Sequence, residues 1–212
     1  MKEKLKDKIF AFAFDMAFRD ATMRNAFKRR ESEQHKQSDT KEVKAEKDEL
    51  YRQRKEDVKV NARDRVKRYI DEIIDERYPD PIQAIEDVCN RTDSFDFTFG
   101  NAQKLVNMTA KYMFMATYGK PEMRVLFKGC HCPMDGVMIE FVARGFKDKK
   151  ELVGFESTEE YKAFIALKWK RAWSQLDGDL PKEYERFTDC IEKIADMVGM
   201  LPIEVDYLYW DE

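Results

Sequence analysis

From Asp39 to about Tyr78 the chain runs without a proline or a glycine through a dense mixture of Lys, Arg, Glu and Asp. Long, straight side chains favour helix, and nothing in the run interrupts the hydrogen-bond ladder, so it has one stable regular form. Asp39 followed three residues later by Glu42 has capping-box spacing and marks the start. Apolar positions are sparse at first, and Val43, Leu50, Val58 and Val60 sustain no heptad repeat. Val66, Tyr69, Ile70, Ile73 and Ile74 then form a stripe. The run therefore predicts a long, charged N-terminal helical arm that becomes amphipathic and docks by its C-terminal end.

The remaining periodicity is also helical. Residues 3–30 place Phe10, Phe14, Ala17, Phe18 and Ala21 on one stripe, widened by Phe12, Met16, Met23 and Phe27, which predicts a largely buried helix. Residues 28–40 are polar and aperiodic and read as an exposed connection. Pro79 and Pro81 end the arm and restart a helix through Ile82, Ile85 and Val88, dividing the chain into N-terminal helices (1–78) and a helical core (79–212). A turn-rich aromatic segment, Thr92 to Phe99, leads through Gly100 into a densely apolar helix, and Val125–Phe127 reads as a short extended piece. Another helix starts at Cys132–Asp135, with Pro133 at its first position and Asp135 in its first turn, and stops at Gly145. Ser157 and Glu160 open one that continues through Tyr161, Phe164, Ile165, Trp169, Trp173 and Leu176. Pro181 opens the next, with Tyr184, Phe187, Ile191, Ile194 and Val198 as its stripe and Gly199 as its stop. The tail LPIEVDYLYW adds a turn or two, packed by Leu208 and Trp210. No alternating strand of useful length and no βαβ unit intervenes, so the expectation is an all-α, multi-helix globular domain with a charged arm.

Composition narrows the function classes. Of 212 residues, 38% are charged, yet the net charge is only −3, so overall charge does not select a polyanionic partner. Its distribution is uneven: residues 28–68 carry 15 Lys/Arg against 10 Asp/Glu, and residues 177–212 carry 3 against 11. Cys89, Cys130, Cys132 and Cys190 occur without a signal peptide, which points to a cytoplasmic location with reduced thiols. The apolar piece IFAFAFDMAF is interrupted by Asp15, then Arg19 and Asp20, and predicts no transmembrane segment and no membrane partner. Cys130, His131 and Cys132 lack metal-ligand spacing and have no second cluster, so no metal is expected. No Walker A loop, GxGxxG or HExxH motif is present.

The chemistry-bearing residues lie between Phe97 and Phe141. Gln103, Lys104, Asn107 and Lys111 interrupt a dense apolar run, and the spacing puts Lys104, Asn107 and Lys111 on one side of a helix. Lys104 and Asp135 are one amine and one carboxylate suited to a shared pocket. Trp169 and Trp173, four apart, suit either a core or a stacking platform.

Three segments, FGNAQK at Phe99–Lys104, CPMD at Cys132–Asp135 and the terminal LPIEVDYLYW, together resemble the helix-hairpin-helix DNA glycosylases, most closely the archaeal-type 8-oxoguanine branch. Residues 1–78 carry no part of the resemblance. It implies a base-excision enzyme in which Lys104 is the nucleophile on the sugar C1′ and Asp135 its carboxylate partner, with strand cleavage by a lyase step and no cofactor. On that reading Gln103, Asn107, Lys111, Trp169, Trp173 and Trp210 contact the substrate base, and Gly100 and Lys128 contact the DNA backbone. Between Gly100 and Lys128, five Lys/Arg stand against one Glu, an excess suited to phosphate. Two features depart from the family pattern: the hairpin has Gly100 as its single glycine, and the tail reads Val205–Asp206 where the family has Leu–Asp. The alternative is a non-catalytic helical module that binds nucleic acid or a protein through the charged arm at residues 40–68.

Overall fold

A computed structural model describes residues 3–22, 29–89, 98–117, 120–148, 158–178 and 180–210. Among these, every regular element is a helix. Helix α1 (Glu3–Thr22) presents Phe10, Phe14 and Phe18 one turn apart, with neighbouring ring centroids 6.0 and 5.9 Å apart. This stripe packs along α4 (Phe99–Ala116). Phe12, expected to widen it, is instead 65% exposed, at the edge of a shallow groove that it lines with Tyr112, Met115 and Ala116 of α4. Met23 and Phe27 lie outside the described residues.

The arm is α2 (Lys41–Ile74). Its buried positions, Val58, Ala62, Val66, Tyr69, Ile70 and Ile73, follow helical spacing and lie in its C-terminal part, so the helix docks by that end as its apolar pattern dictates. The cap falls one residue later than the sequence suggested: Thr40 is the N-cap and its hydroxyl accepts from Val43 N, while Asp39 accepts from Lys36 N and Lys47 Nζ.

Residues 29–40, expected to be an exposed connection, are strapped to the arm. A single 3-10 turn (Glu31–Glu33) delivers Glu33 into a buried fork-to-fork pair with Arg54, at 2.5 and 2.6 Å. A carboxylate and a guanidinium leave water together only where their geometries match in this way. The Arg54 hydrogen bond, opposed by burial, holds the Glu33 carboxyl below its usual range. Arg29 and His35 both reach Asp48 close by. Several charges of residues 40–68 are thus matched within the chain, among them Lys47 with Asp39 and Lys59 with Asp15.

A turn containing the left-handed residues Glu76 and Tyr78 joins α2 to α3 (Pro81–Cys89), and helices on both sides of it share one apolar cluster. Beyond α4 come the short α5 (Pro121–Arg124) and then Val125–Phe127, a 3-10 turn where an extended piece was expected, with Leu126 and Phe127 buried beneath it. Helix α6 (Gly136–Asp148) runs through Gly145 without stopping. Asp135 sits just before this helix as its cap, so Pro133 lies outside it.

The long helix expected from Tyr161 to Leu176 is divided into α7 (Thr158–Ala166) and a 3-10 segment (Trp169–Gln175); Ser157 lies outside the described residues. The cause is tertiary. The Thr98 hydroxyl donates to Ser174 O at 2.7 Å and the Gly100 amide to Leu176 O at 3.0 Å, so this backbone is recruited to cover the start of α4. Helix α8 (Lys182–Val198) buries Tyr184, Phe187, Cys190, Ile191 and Ala195, while Val198 turns outward, and Gly199 at φ 67° closes it. The chain finishes with a 3-10 turn (Pro202–Glu204) and α9 (Tyr207–Trp210). Among the described residues no helix is long and apolar enough to cross a membrane.

Gly100 is where α4 and the 3-10 segment touch backbone to backbone: a Cβ there would lie 1.9 Å from Trp173 O. Gly100→Ala is expected to destabilise the fold by at least ~2 kcal/mol, lowering the melting temperature by ~4–8 °C. Gly129→Ala, whose Cβ would meet nothing within 4 Å, serves as the neutral control in the same thermal scan.

Candidate active site

Helix α4 is buried on nearly every side: from Phe99 to Phe114 only Tyr112 is not fully enclosed. Water therefore has little access to the polar side chains it carries, and burial without a protein partner is costly for each. Lys104, 7% exposed, finds Asp135: Nζ lies 2.5 Å from Oδ2. The two oxygens of Asp135 have separate tasks. Oδ1 accepts the Val137 and Met138 amides at 3.0 Å each, capping α6, while Oδ2 takes the ammonium. Burial pushes the Asp135 carboxyl up, but the Lys104 charge and hydrogen bond and the two amides outweigh it and hold it below its usual range.

Two turns along the same helix, Lys111, 6% exposed, makes a more deeply enclosed pair with Asp206, 5% exposed, from the tail. Its ammonium also lies 5.0 Å from the Tyr207 ring centroid. Burial raises the Asp206 carboxyl above its usual range despite Lys111, and its Oδ1 has no hydrogen-bond partner among the described residues. Beside it the Tyr112 hydroxyl donates to Asp20 of α1 at 2.9 Å, and burial moves that phenol upward.

Both Lys–Asp pairs line one cavity of about 710 Å³, together with Asp20, Met108, Tyr112, Trp169 and Trp173. That volume falls in the range of small-molecule pockets. Trp173 is buried, with its ring centroid 6.0 Å from Lys104 Nζ, and Trp169 is 66% exposed at the rim beside Lys168, whose ammonium lies 4.9 Å from its ring. Lys104, Asp135, Lys111, Trp169 and Trp173 are thus brought together as the sequence suggested. The side chain of Trp210 lies outside the described residues.

Four expected contacts fall elsewhere. Gln103 is fully buried and spends its carboxamide on the backbone of Met134, and Asn107 donates to the Tyr184 hydroxyl at 2.8 Å; neither lines the cavity. The Gly100 amide, which a phosphate would require, is used on Leu176 O in a closed helix-to-loop contact. Lys128 is exposed but stands 4.2 Å from the Tyr78 ring centroid, away from the cavity lining.

Asp206 and Asp20 are cavity residues that the motifs did not flag. The available signal for Asp206 was the one that exposed Lys104: a charge within an apolar segment, here between Val205 and Leu208, must be paired if the segment packs. Among the described residues no group of three or more His, Cys, Asp or Glu is placed to hold a metal ion.

Chemically, the arrangement offers an amine in contact with a carboxylate at a roomy, aromatic-walled cavity, and behind it a second charge pair with one carboxylate oxygen unsatisfied. Such a site is equipped to bind a planar polar ring and to present an amine to an electrophilic carbon. No family model, curated protein or solved structure matches the chain.

Replacing Lys111 alone strands a buried carboxylate. Lys111→Met is expected to cost ~3–5 kcal/mol in denaturant unfolding, and Lys111→Met with Asp206→Leu to regain most of that loss, since an apolar pair needs no compensation. Equal stability of the single and double variants would show the two charges to be uncoupled.

Proposed function

We propose that the protein is a DNA glycosylase with associated lyase activity, which excises a damaged base using Lys104 as nucleophile and Asp135 as its proton acceptor. The observation that carries the reading is the 2.5 Å contact between the Lys104 amine and the Asp135 carboxylate at the wall of the 710 Å³ cavity. Their order in the chain and their place in the FGNAQK and CPMD segments are what the resemblance to helix-hairpin-helix glycosylases calls for.

A base within a duplex is unreachable, so the target nucleotide must leave the stack and enter a pocket that replaces its stacking and hydrogen bonds. Trp173 and Met108 supply apolar surface in the cavity, and Trp169 a stacking face at its rim. Lys111 and Asp206 place a charge pair on the cavity wall, beside which the polar edge of the base is held. Lys104 attacks as the free amine after Asp135 takes its proton. The Nζ–C1′ bond forms as the glycosidic C1′–N bond breaks, and the base departs with that bonding pair and takes up the proton that Asp135 had accepted. Opening of the sugar ring gives an imine between Lys104 and C1′; loss of a C2′ proton then expels the 3′ phosphate by β-elimination, which cuts the strand. Asp135 is suited to proton transfer because its caps to α6 occupy Oδ1 and leave Oδ2 for the amine.

Borohydride reduction tests the assignment. Wild-type protein mixed with duplex DNA containing oxidised bases or an abasic site is expected to form a covalent adduct on reduction, and Lys104→Gln to form none. Asp135→Asn is expected to slow adduct formation by ~100-fold or more, the scale of removing a positioned proton acceptor. Absence of both adduct and base release with wild-type protein, across oxidised, deaminated and alkylated bases, would overturn the reading.

A further inference from the structure

Gln103 precedes Lys104, and Met134 precedes Asp135. The Gln103 carboxamide joins the two segments through a closed pair of hydrogen bonds: Nε2 donates to Met134 O at 2.7 Å, and Oε1 accepts Met134 N at 3.0 Å. Both faces of one amide are thus matched to both faces of one backbone residue. Gln103 has no exposed surface, and Met134 has none either. The clamp continues one turn along α4. Asn107 Nδ2 donates to the Tyr184 hydroxyl at 2.8 Å and approaches Gln103 Oε1 at 3.3 Å and Cys132 O at 3.5 Å. Tyr184 in turn meets His131 Nδ1 at 3.0 Å. The segment His131–Asp135 has no helical or strand ladder of its own, so these amides set its position relative to α4.

We infer that Gln103 is a positioning residue: its two-bond clamp on Met134 fixes the register in which the Asp135 carboxylate meets the Lys104 amine. The inference rests on the glycosylase reading for its catalytic consequence, though the clamp acts on the Lys104–Asp135 contact whatever the substrate. An amide is the side chain for this task because it presents one donor and one acceptor with no charge to desolvate. A methionine of similar length makes neither bond. A glutamate makes both only when protonated, because the ionised form sets a negative charge against the Met134 carbonyl; burial favours the protonated form, bringing the change into an accessible pH range. A shift of about an ångström in a reacting pair is enough to cost ~100-fold in rate.

The experiment compares wild type, Gln103→Met, Gln103→Glu and Asp135→Asn. In single-turnover borohydride trapping on duplex DNA with an abasic site, Gln103→Met is expected to react ~100-fold more slowly at every pH. Its affinity for a duplex carrying the unreactive tetrahydrofuran analogue is expected to stay within ~2-fold of wild type, since the cavity lining is unchanged. The rate of Gln103→Glu relative to wild type is expected to rise as pH falls, while that of Gln103→Met stays flat, a difference that loss of packing would not produce. Trapping of Gln103→Met at the wild-type rate, a parallel loss of rate and analogue binding, or a flat ratio for Gln103→Glu would each overturn the inference. A second readout uses no DNA. In competitive labelling with acetic anhydride, mapped peptide by peptide, Lys104 of Gln103→Met is expected to react as Lys104 of Asp135→Asn does, with Lys111 unchanged. If wild type forms no adduct with DNA, the glycosylase reading fails, and the labelling comparison still decides the clamp: Lys104 reactivity equal to wild type in Gln103→Met refutes it.

Discussion

Burying α4 on almost every side while it carries two ammonium groups dictates much of what surrounds it. An isolated buried charge costs several kcal/mol, so the helix is enclosed only if carboxylates arrive from elsewhere in the chain. Asp135 comes from the loop before α6 and Asp206 from the tail, 31 and 95 residues away from their respective lysines. The first two-thirds of the chain and its last turn are thus held to a common centre by charge as well as by apolar packing. Burial of Lys104 and Lys111 is also what makes the cavity chemically distinctive: charged groups are concentrated on its wall, and the two lysines are already oriented by their carboxylates. Fixed dipoles and charges act on a ligand without first having to reorganise.

The proximity of the two pairs has electrostatic consequences. Lys104 and Lys111 lie on one face of α4, and taken alone each repels the other. In the structure Asp206 offsets the Lys111 charge, which opposes the repulsion that two neighbouring lysines would otherwise create at Lys104. Asp135 and Asp206 differ in the same way that their surroundings do. Asp135 has an ammonium and two amides and remains ionised easily, whereas Asp206 has an ammonium and one unsatisfied oxygen, and burial weighs more heavily on it. Two carboxylates in one cavity with different proton affinities suit different tasks, one as proton acceptor and one as hydrogen-bonding partner for a ligand.

The all-helical class was readable in the chain because its periodicity near 3.6 is long and rarely interrupted, and the docking end of α2 was readable for the same reason. Lys104 and Asp135 were conspicuous as charges set among apolar residues. Gln103 and Asn107 were conspicuous too, yet their direction was not: on a helix buried all round, a polar face does not distinguish a cavity from a neighbouring loop. The break at Ala166 has no local cause in the sequence; it follows from hydrogen bonds that Thr98 and Gly100 make to residues more than seventy positions on. Glu33 and Arg54 resemble any other charges in a polar stretch, and only the 3-10 turn at Glu31–Glu33 brings them together out of water. The extended reading of Val125–Phe127 failed because three β-branched or bulky residues have no strand to pair with here, and packing Leu126 and Phe127 under a tight turn buries them more fully.

The division of labour within Asp135 lets the carboxylate take a proton without losing its structural contacts. A carboxylate that both accepts a proton and caps a helix would unwind the helix at each turnover if the two roles shared an oxygen. Here the α6 amides are held by Oδ1 and the amine by Oδ2, so protonation at Oδ2 leaves both cap bonds in place. The capped helix then serves as a fixed mount for the acceptor oxygen, and the Gln103 clamp fixes the approach of the preceding loop. The carboxylate is thus anchored by backbone amides, whereas the amine, at the end of four methylenes, is held by the carboxylate. Under the proposed chemistry that amine is the group a ligand carbon meets, and releasing it from Oδ2 breaks no cap bond of α6.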